Sequence, residues 1–395
     1  MPASPSTARA INDRSALELL RRHGPLTAGQ LKQLTGLSRP TVAGLVERLQ
    51  EAGLITVVGE AGAERRGPNA RLYGIVADRA QLAALDVRTE GLSVVVADLL
   101  GTVLTEKSLP IDGAMGTEPA VEQAVALLEE AAADAGAGRL HSVGIGAPGL
   151  IEPATGRLRD TTGLPAWHRR LVDALRERLP AAVVVQNETN LAAVAEQRVG
   201  AVQDRDTFVM LWLAHGIGAA VMLDGTLRRG ASGGAGEIGF LPVPGAAGVP
   251  SASSCDGGFH SLVGAAAVCA LAAEHGLGSG HEGDDESAAV ATVGAAVHAP
   301  GEPRAAAFLD ALADRLALGV ASVAAILDPG CVLLGGAVGR VGGTVLAERV
   351  EQRAAALSPL RTEVRAGALG GTAVLRGALL TAQDMAHDDL FAPGS

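Results

Sequence analysis

Between two short apolar runs near the N-terminus, the segment Gly36-Leu37-Ser38-Arg39-Pro40-Thr41 leaves the chain very few ways to proceed. A proline without an N–H is tolerated only in the first turn of a helix, so a helix has to begin at Arg39. Ser38 is then placed to cap it, and Gly36 supplies the left-handed residue on which a preceding helix can end. The spacing predicts a helix from Arg39 to about Ala52, with Val42, Leu45, Val46 and Leu49 as its apolar face at i, i+3, i+4 and i+7. Arg39, Thr41, Ala43, Gly44, Glu47 and Arg48 are left on the other face. Upstream, Thr27 caps a shorter helix that is expected to bury Leu31 and Leu34. Downstream, Gly53 stops the long helix, Leu54–Val58 reads as a strand, Gly59–Gly62 as a turn and Arg71–Ile75 as the returning strand.

Two helices at a tight turn followed by a two-stranded hairpin make a winged helix-turn-helix, here residues 1–75. That motif lays its second helix in a major groove and its wing along phosphates or into the minor groove. Ser38, Arg39, Thr41 and Arg48 are the expected contacts from the helix, and Arg65, Arg66 and Arg71 those from the wing. Charge points the same way. The whole chain is −11, yet its first 75 residues hold ten Lys and Arg against six Asp and Glu, or +4, leaving −15 for the other 320. One basic module on an acidic body is the footprint of a protein that grips double-stranded DNA at one end. An ordinary small bundle with solvated arginines would give no reason for cap, turn, proline and wing to come in this order.

At 395 residues and 48% apolar content, the chain is long enough for two or three domains with proper cores. No uninterrupted apolar run is long enough to cross a bilayer, and the N-terminus lacks the pattern of an export signal, so a cytoplasmic location with no membrane partner is expected. Cys255, Cys269 and Cys331 are too few and too scattered for a disulfide framework or a closed metal site. Gly276–Glu286, rich in Gly, Ser and acidic residues, reads as a flexible segment.

After residue 80 the pattern becomes strands alternating with helices. Leu82–Val87, Leu92–Leu99 and Gly101–Ser108 read as a meander, Glu118–Ala135 as a helix, Ser142–Ala147 as a strand, Trp167–Arg178 as a helix and Ala182–Gln186 as a buried strand. A second round follows, with strands at Thr207–Leu213 and Gly218–Leu223, a helical region ending near Ile326, and a strand at Cys331–Leu334. Two similar halves predict a duplicated α/β fold with a cleft between lobes, residues 76–186 and 187–372, the first completed by a C-terminal helix at 373–387.

Five motifs in order carry a resemblance. Gly144-Ile-Gly-Ala-Pro-Gly-Leu-Ile151, Leu164-Pro-Ala-Trp167, Asn187-Glu-Thr-Asn190 with Glu196, Gly233-Gly-Ala-Gly-Glu-Ile-Gly239 and Leu334-Gly-Gly336 resemble the signatures of the ROK family of repressors, open reading frames and sugar kinases. The resemblance covers nearly the whole chain, including the DNA-binding module that only the repressor branch carries. It implies an α/β body of actin-like, ribonuclease-H-like (sugar kinase) fold in two lobes behind the winged helix-turn-helix.

Departures from the family pattern then favour one branch. The kinase turn D-x-G-G-T, whose glycines admit ATP phosphates, reads Asp86-Val-Arg-Thr-Glu90, and the second phosphate segment reads Ala214-His215-Gly216, with Gly218 retained. Glu188 stands where the family has its catalytic aspartate and carries its carboxylate about 1.5 Å further out. The positions of the family's zinc ligands are Phe240, Ser253, Cys255 and His260, which implies no structural zinc. Of the sugar-holding positions, Asn187, Glu188 and Glu237 remain polar, whereas others are Phe240, Leu262 and Gly163. Asn187 and Glu188 could equally just begin and cap a helix, and Glu237 could cap a neighbouring one.

The resulting expectation is a transcriptional regulator, a repressor of carbohydrate uptake or metabolism genes, that works as a homodimer or tetramer on an operator. It uses no cofactor and no catalytic residue, and it senses a sugar or sugar-derived effector through a degenerate cleft. Two other readings stay open. One is an active sugar kinase that also binds DNA; the other is a regulator controlled by a protein partner, with the cleft a vestige.

Overall fold

The computed structural model describes residues 5–61, 70–112, 114–159, 164–278 and 284–392. It opens with α1 (Pro5–His23), β1 (Leu26–Thr27), α2 (Ala28–Thr35), α3 (Arg39–Glu51), β2 (Ile55–Ala61) and β3 (Ala70–Ile75). Thr27 and Gln30 form a reciprocal capping box, the Thr27 hydroxyl accepting from Gln30 N at 3.2 Å and the Gln30 side chain from Thr27 N at 2.8 Å. Gly36 ends α2 at φ 72°, donating its N–H to Lys32 O. Ser38 caps α3 by accepting from Thr41 N at 3.3 Å, with Pro40 in the first turn. The three strands run in the order β1-β3-β2, antiparallel, with a bulge between Val57 and Gly59.

Leu31, Val42, Leu45, Val46 and Leu49 are buried together with Ala16, Leu17 and Leu20 of α1. Leu34 is not: it is 50% exposed, a correction to its expected burial. The eight-residue α2 meets α1 and α3 only along the stripe around Leu31, and Leu34 sits at its rim. Residues 62–69, with the wing arginines Arg65 and Arg66, lie outside the described residues.

The body repeats one topology twice. Its first sheet comprises β4 (Gln81–Arg88), β5 (Gly91–Asp98), β6 (Val103–Pro110), β7 (Leu140–Ala147) and β8 (Ala182–Asn187), with α4 (Thr117–Asp134) and α5 (Ala166–Arg178) in the crossovers. Its order is β6-β5-β4-β7-β8, an antiparallel meander followed by two parallel strands. After α6 (Glu188–Val199) come β9 (Phe208–Leu213), β10 (Ile217–Leu223), β11 (Thr226–Arg228), α7 (His260–Val263), α8 (Ala265–Glu274), α9 (Asp285–Val297), α10 (Pro303–Leu327), β12 (Cys331–Gly335), α11 (Gly336–Leu357), β13 (Glu363–Ala366) and α12 (Ala373–Leu390). The second sheet, β11-β10-β9-β12-β13, has the same pattern of antiparallel and parallel pairs. This is the sugar-kinase-like, actin-like and ribonuclease-H-like architecture. No helix among the described residues is long and apolar enough to cross a membrane.

Helix α12 ties the parts together. It packs on β4 and β7 of the first sheet and on α6 at the junction between the two halves. Glycines make the approach possible: a Cβ at Gly377 would fall 2.0 Å from Leu191 O, and one at Gly144 would fall 2.1 Å from Ala378 O. At its far end, Leu390 and Phe391 join one buried cluster with Leu17 and Leu20 of α1, so the core of the N-terminal module is continuous with that of the body. Ion pairs frame this seam. Arg198 at the end of α6 forks onto Asp384 of α12 at 2.8 and 2.5 Å, and Arg14 of α1 meets Asp388 at 2.5 Å.

Candidate functional site

On the N-terminal module, α3 presents Ser38, Arg39 and Thr41 to solvent at its N-terminal end. The Ser38 and Thr41 hydroxyls lie 2.8 Å apart, so the cap also fixes the Thr41 rotamer. Arg48 is placed differently from the expectation that it faces a groove. Its guanidinium forks onto Asp13 of α1, with Nε at 3.2 Å from Oδ2 and Nη2 at 2.6 Å from Oδ1, and serves to join the two helices. Arg71 is exposed on β3, in register opposite Glu60.

A cleft of about 400 Å3 lies where the ends of both sheets converge. Asp86 and Arg88 come from the end of β4, Gly149 from the loop after β7, and Asn187 and Glu188 from the β8–α6 junction. The second half contributes Ala214, His215 and Gly216 from the β9–β10 turn, Glu237 from the loop after β11, and Glu286 from the first turn of α9.

Asn187 is held within the protein by both ends of its amide. Its Nδ2 donates to Gly149 O at 3.0 Å, and its Oδ1 accepts from Thr189 N and Asn190 N, which makes it the N-cap of α6. Glu188, the first residue of that helix, keeps its side chain free to face the cleft. Its carboxyl is pushed up to about 7, first by burial and then by the negative charges of Asp86 and Glu286, against the pull of Arg88. Glu237 precedes a short 3-10 turn but makes no side-chain capping bond, and burial raises its carboxyl above the usual range.

The two segments that the resemblance assigns to nucleotide phosphates are engaged by the protein's own charges. Arg88 forks onto Asp86 at 2.9 and 2.7 Å and donates to Gly371 O at 2.9 Å, so the guanidinium spans from β4 to the segment before α12. His168 fastens the same turn, its Nε2 at 3.2 Å from Arg88 O; burial lowers this imidazole to about 4, so it stays neutral and donates. In the second segment His215 N donates to Glu286 Oε2 at 2.9 Å. A carboxylate thus already holds an amide of the kind a phosphate oxygen would take.

Sequence reasoning missed Glu286, because it closes a stretch read as flexible. The available signal was Asp284, which caps α9 by accepting from Ser287 N at 2.8 Å and thereby sets where that helix begins. Of the apolar residues at sugar-holding positions, Phe240 is 37% exposed and Leu262 is buried. Among the described residues, no three His, Cys, Asp or Glu side chains are gathered as a metal ion would require. Glu196, noted for its motif, is a buried brace: it accepts from Ala201 N, Ala368 N and Leu369 N and pins the loop after β13 to α6.

Comparison with known proteins agrees with both parts. Residues 82–385 match the model of the ROK family, and residues 12–66 match that of the MarR family. The chain is 25% identical over 240 residues to the DNA-binding transcriptional dual regulator NagC of Escherichia coli (strain K12), covering 60% of this chain and 58% of that one. It is 29% identical over 213 residues to a glucokinase of Halalkalibacterium halodurans, covering 52% and 64%. These matches span about three fifths of the curated relatives' lengths. A solved ROK family transcriptional regulator, described as a homologue of the E. coli MLC protein, superposes with a TM-score of 0.77 over 97% of this chain and 98% of that one; at 22% identity this shows the fold.

Proposed function

Because the chain belongs to the ROK family, we propose that it is a sequence-specific DNA-binding transcriptional regulator, a repressor of carbohydrate genes, whose kinase-like body senses rather than catalyses. The observation that carries this reading is the mechanical line from cleft to DNA-binding module. Glu188 in the cleft opens α6, Arg198 at the other end of α6 holds Asp384 on α12, and α12 meets α1 through Asp388 and Arg14 and through the shared core around Leu17. A ligand that engages Glu188 more strongly in one arrangement of α6 and α12 biases the position of the winged helix, as differential binding requires. Two modules in a homodimer, or four in a tetramer, would address a palindromic operator. Arg39 and Thr41 are the proposed readers of the groove, Ser38 positions them, and Arg65, Arg66 and Arg71 are the proposed wing contacts.

The self-occupied phosphate segments favour a non-catalytic body. Arg88 and Glu286 would have to give up their partners before ATP phosphates could reach those backbone amides. One observation favours an active kinase instead: a carboxyl titrating at about 7 is in the range of a general base. The deciding experiment has two arms. Duplexes selected from a random library should bind with a steep salt dependence, and their affinity should change with a sugar from a panel of mono- and disaccharides and their phosphates. Incubation with labelled ATP and the same sugars should leave them unphosphorylated. Phosphorylation abolished by Glu188→Ala would establish the enzyme, and operator affinity indifferent to every sugar would remove the sensor.

A further inference from the structure

Acidic side chains outnumber basic ones in the cleft. Four carboxylates line it, Asp86, Glu188, Glu237 and Glu286, against the guanidinium of Arg88 and the imidazole of His215. Glu286 spends Oε2 on His215 N, and Asp86 spends Oδ2 on Arg88. The Asp86 side chain is only 1% exposed, yet its Oδ1 has no partner. Asn190, 6% exposed and lining the same cleft, leaves its Oδ1 equally unpartnered. The donors that could have answered these atoms are turned inward, Asn187 Nδ2 to Gly149 O and Arg88 Nη2 to Asp86 and Gly371 O.

Acidic side chains outnumber basic ones around the cavity, so a ligand that brings donors is favoured over one that brings acceptors. It also has to bring positive charge, because hydroxyls of a neutral sugar can donate to carboxylates but leave their repulsion in place. That repulsion already registers at Glu188, where Asp86 and Glu286 add to burial in raising the carboxyl. A bare metal ion does not fit, because the carboxylates are spread around the cavity and no three converge on one point among the described residues. A phosphorylated sugar has the wrong sign. A protonated amine has three donors and no acceptor, and a cavity of about 400 Å3 is the size for a small sugar around it.

Resting on the reading of the cleft as an effector site, we infer that the ligand is an amino sugar with a free, protonated amine, held between Glu188 and Glu237. Calorimetric titration of the full-length protein at neutral pH with glucosamine, N-acetylglucosamine, glucose and glucose 6-phosphate, repeated for the galacto and manno series, tests it. The expected result is that a free-amine sugar binds tightest, by roughly tenfold or more over its neutral counterparts. Glu188→Gln should collapse that preference, as should Glu237→Gln. The inference is overturned if an N-acetyl, parent or phosphorylated sugar binds as well or better, or if no amino sugar binds. An amino sugar that binds without changing operator affinity would refute the sensor reading and leave the ligand class standing; a neutral sugar that binds and changes operator affinity would do the reverse.

Discussion

Replacing Gly377 by alanine sets two effects of opposite sign against each other at the seam between α6 and α12. By helix propensity alone, alanine inside α12 is favoured by about 0.8–1.0 kcal/mol. By packing it is not: an ideal Cβ at 377 falls 2.0 Å from Leu191 O and 2.5 Å from Leu191 C, whereas ordinary contact begins near 3.4 Å. The obstacle is backbone, which has no rotamer to change. Helix α12 has little room to retreat, because its next residue, Ala378, already presents its carbonyl to Gly144 of β7 with no space for a side chain. Overpacking of this kind costs about 1–3 kcal/mol, and against two rigid walls the upper half of that range applies, so the net is a loss of about 1–2 kcal/mol. Guanidinium unfolding should show the midpoint falling with little change in slope. Gly294→Ala in α9, where the nearest atom to the new Cβ is Val341 Cβ at 3.9 Å, is the control and should be neutral or mildly stabilising. If Gly377→Ala is as stable as the parent, or more so, the close packing of α6 on α12 and the mechanical line built on it are wrong.

Arg39→Ala should lower affinity for a selected operator by about 1–3 kcal/mol in a fluorescence anisotropy titration; unchanged affinity would remove Arg39 from the interface. Arg198→Ala breaks a half-exposed ion pair and should cost less than about 1 kcal/mol of stability. It should nevertheless weaken the effect of ligand on DNA binding while leaving both affinities measurable, and an intact ligand response would refute the route through α12. Glu188 gives a pH signature. Its folded carboxyl titrates at about 7 rather than near 4.5, so between those values the native state holds a proton that the unfolded chain has released. Stability from this group therefore falls as pH rises through that window and is level above it. Glu188→Gln should remove the slope and be the more stable form at about pH 8, and parallel melting curves for the two proteins across the window would contradict the shift.

How far the sequence could be read depended on whether the decisive contact lay within one element. Thr27, Gly36, Ser38 and Pro40 act on their own backbone neighbours, and the helix boundaries they imply are those observed. Arg48 was assigned to a groove from the helical wheel of α3 alone, which cannot register Asp13 on another helix thirty-five residues earlier. Leu34 failed for the same reason: periodicity names a face but not how wide a strip of it the neighbours cover. The short strands β11 and β13 carry too few residues to show alternation, and α11 is rich in glycine and kinked at Gly343, so its apolar pattern is broken. Asp284 marks where α9 begins, but that α9 brings Glu286 to the cleft is tertiary placement, which the segment does not show locally.

The glycines that make the chain resemble a kinase need not report on phosphate at all. A Cβ at Gly218 would fall 2.9 Å from Thr189 Oγ1 on α6, one at Gly236 would fall 1.9 Å from Ala219 O, and one at Gly233 would fall 2.0 Å from Ile151 O. Each of these contacts is between elements of the scaffold. Gly218 lets β10 lie against α6, while Gly233 and Gly236 bring the loop that carries Glu237 onto β10 and the segment after β7, so that Glu237 reaches the cleft. Such glycines are needed whether or not nucleotide binds, because a Cβ at any of them displaces a sheet or a loop. Side chains that face the cavity are under no such constraint, and Arg88 and Glu188, where the chain departs from the kinase pattern, are of that kind. Restoring glycine at 88 and 89 should therefore not by itself restore nucleotide binding, since Glu286 would still hold His215 N; a nucleotide-binding assay on that double variant, with and without Glu286→Ala, separates the two blocks.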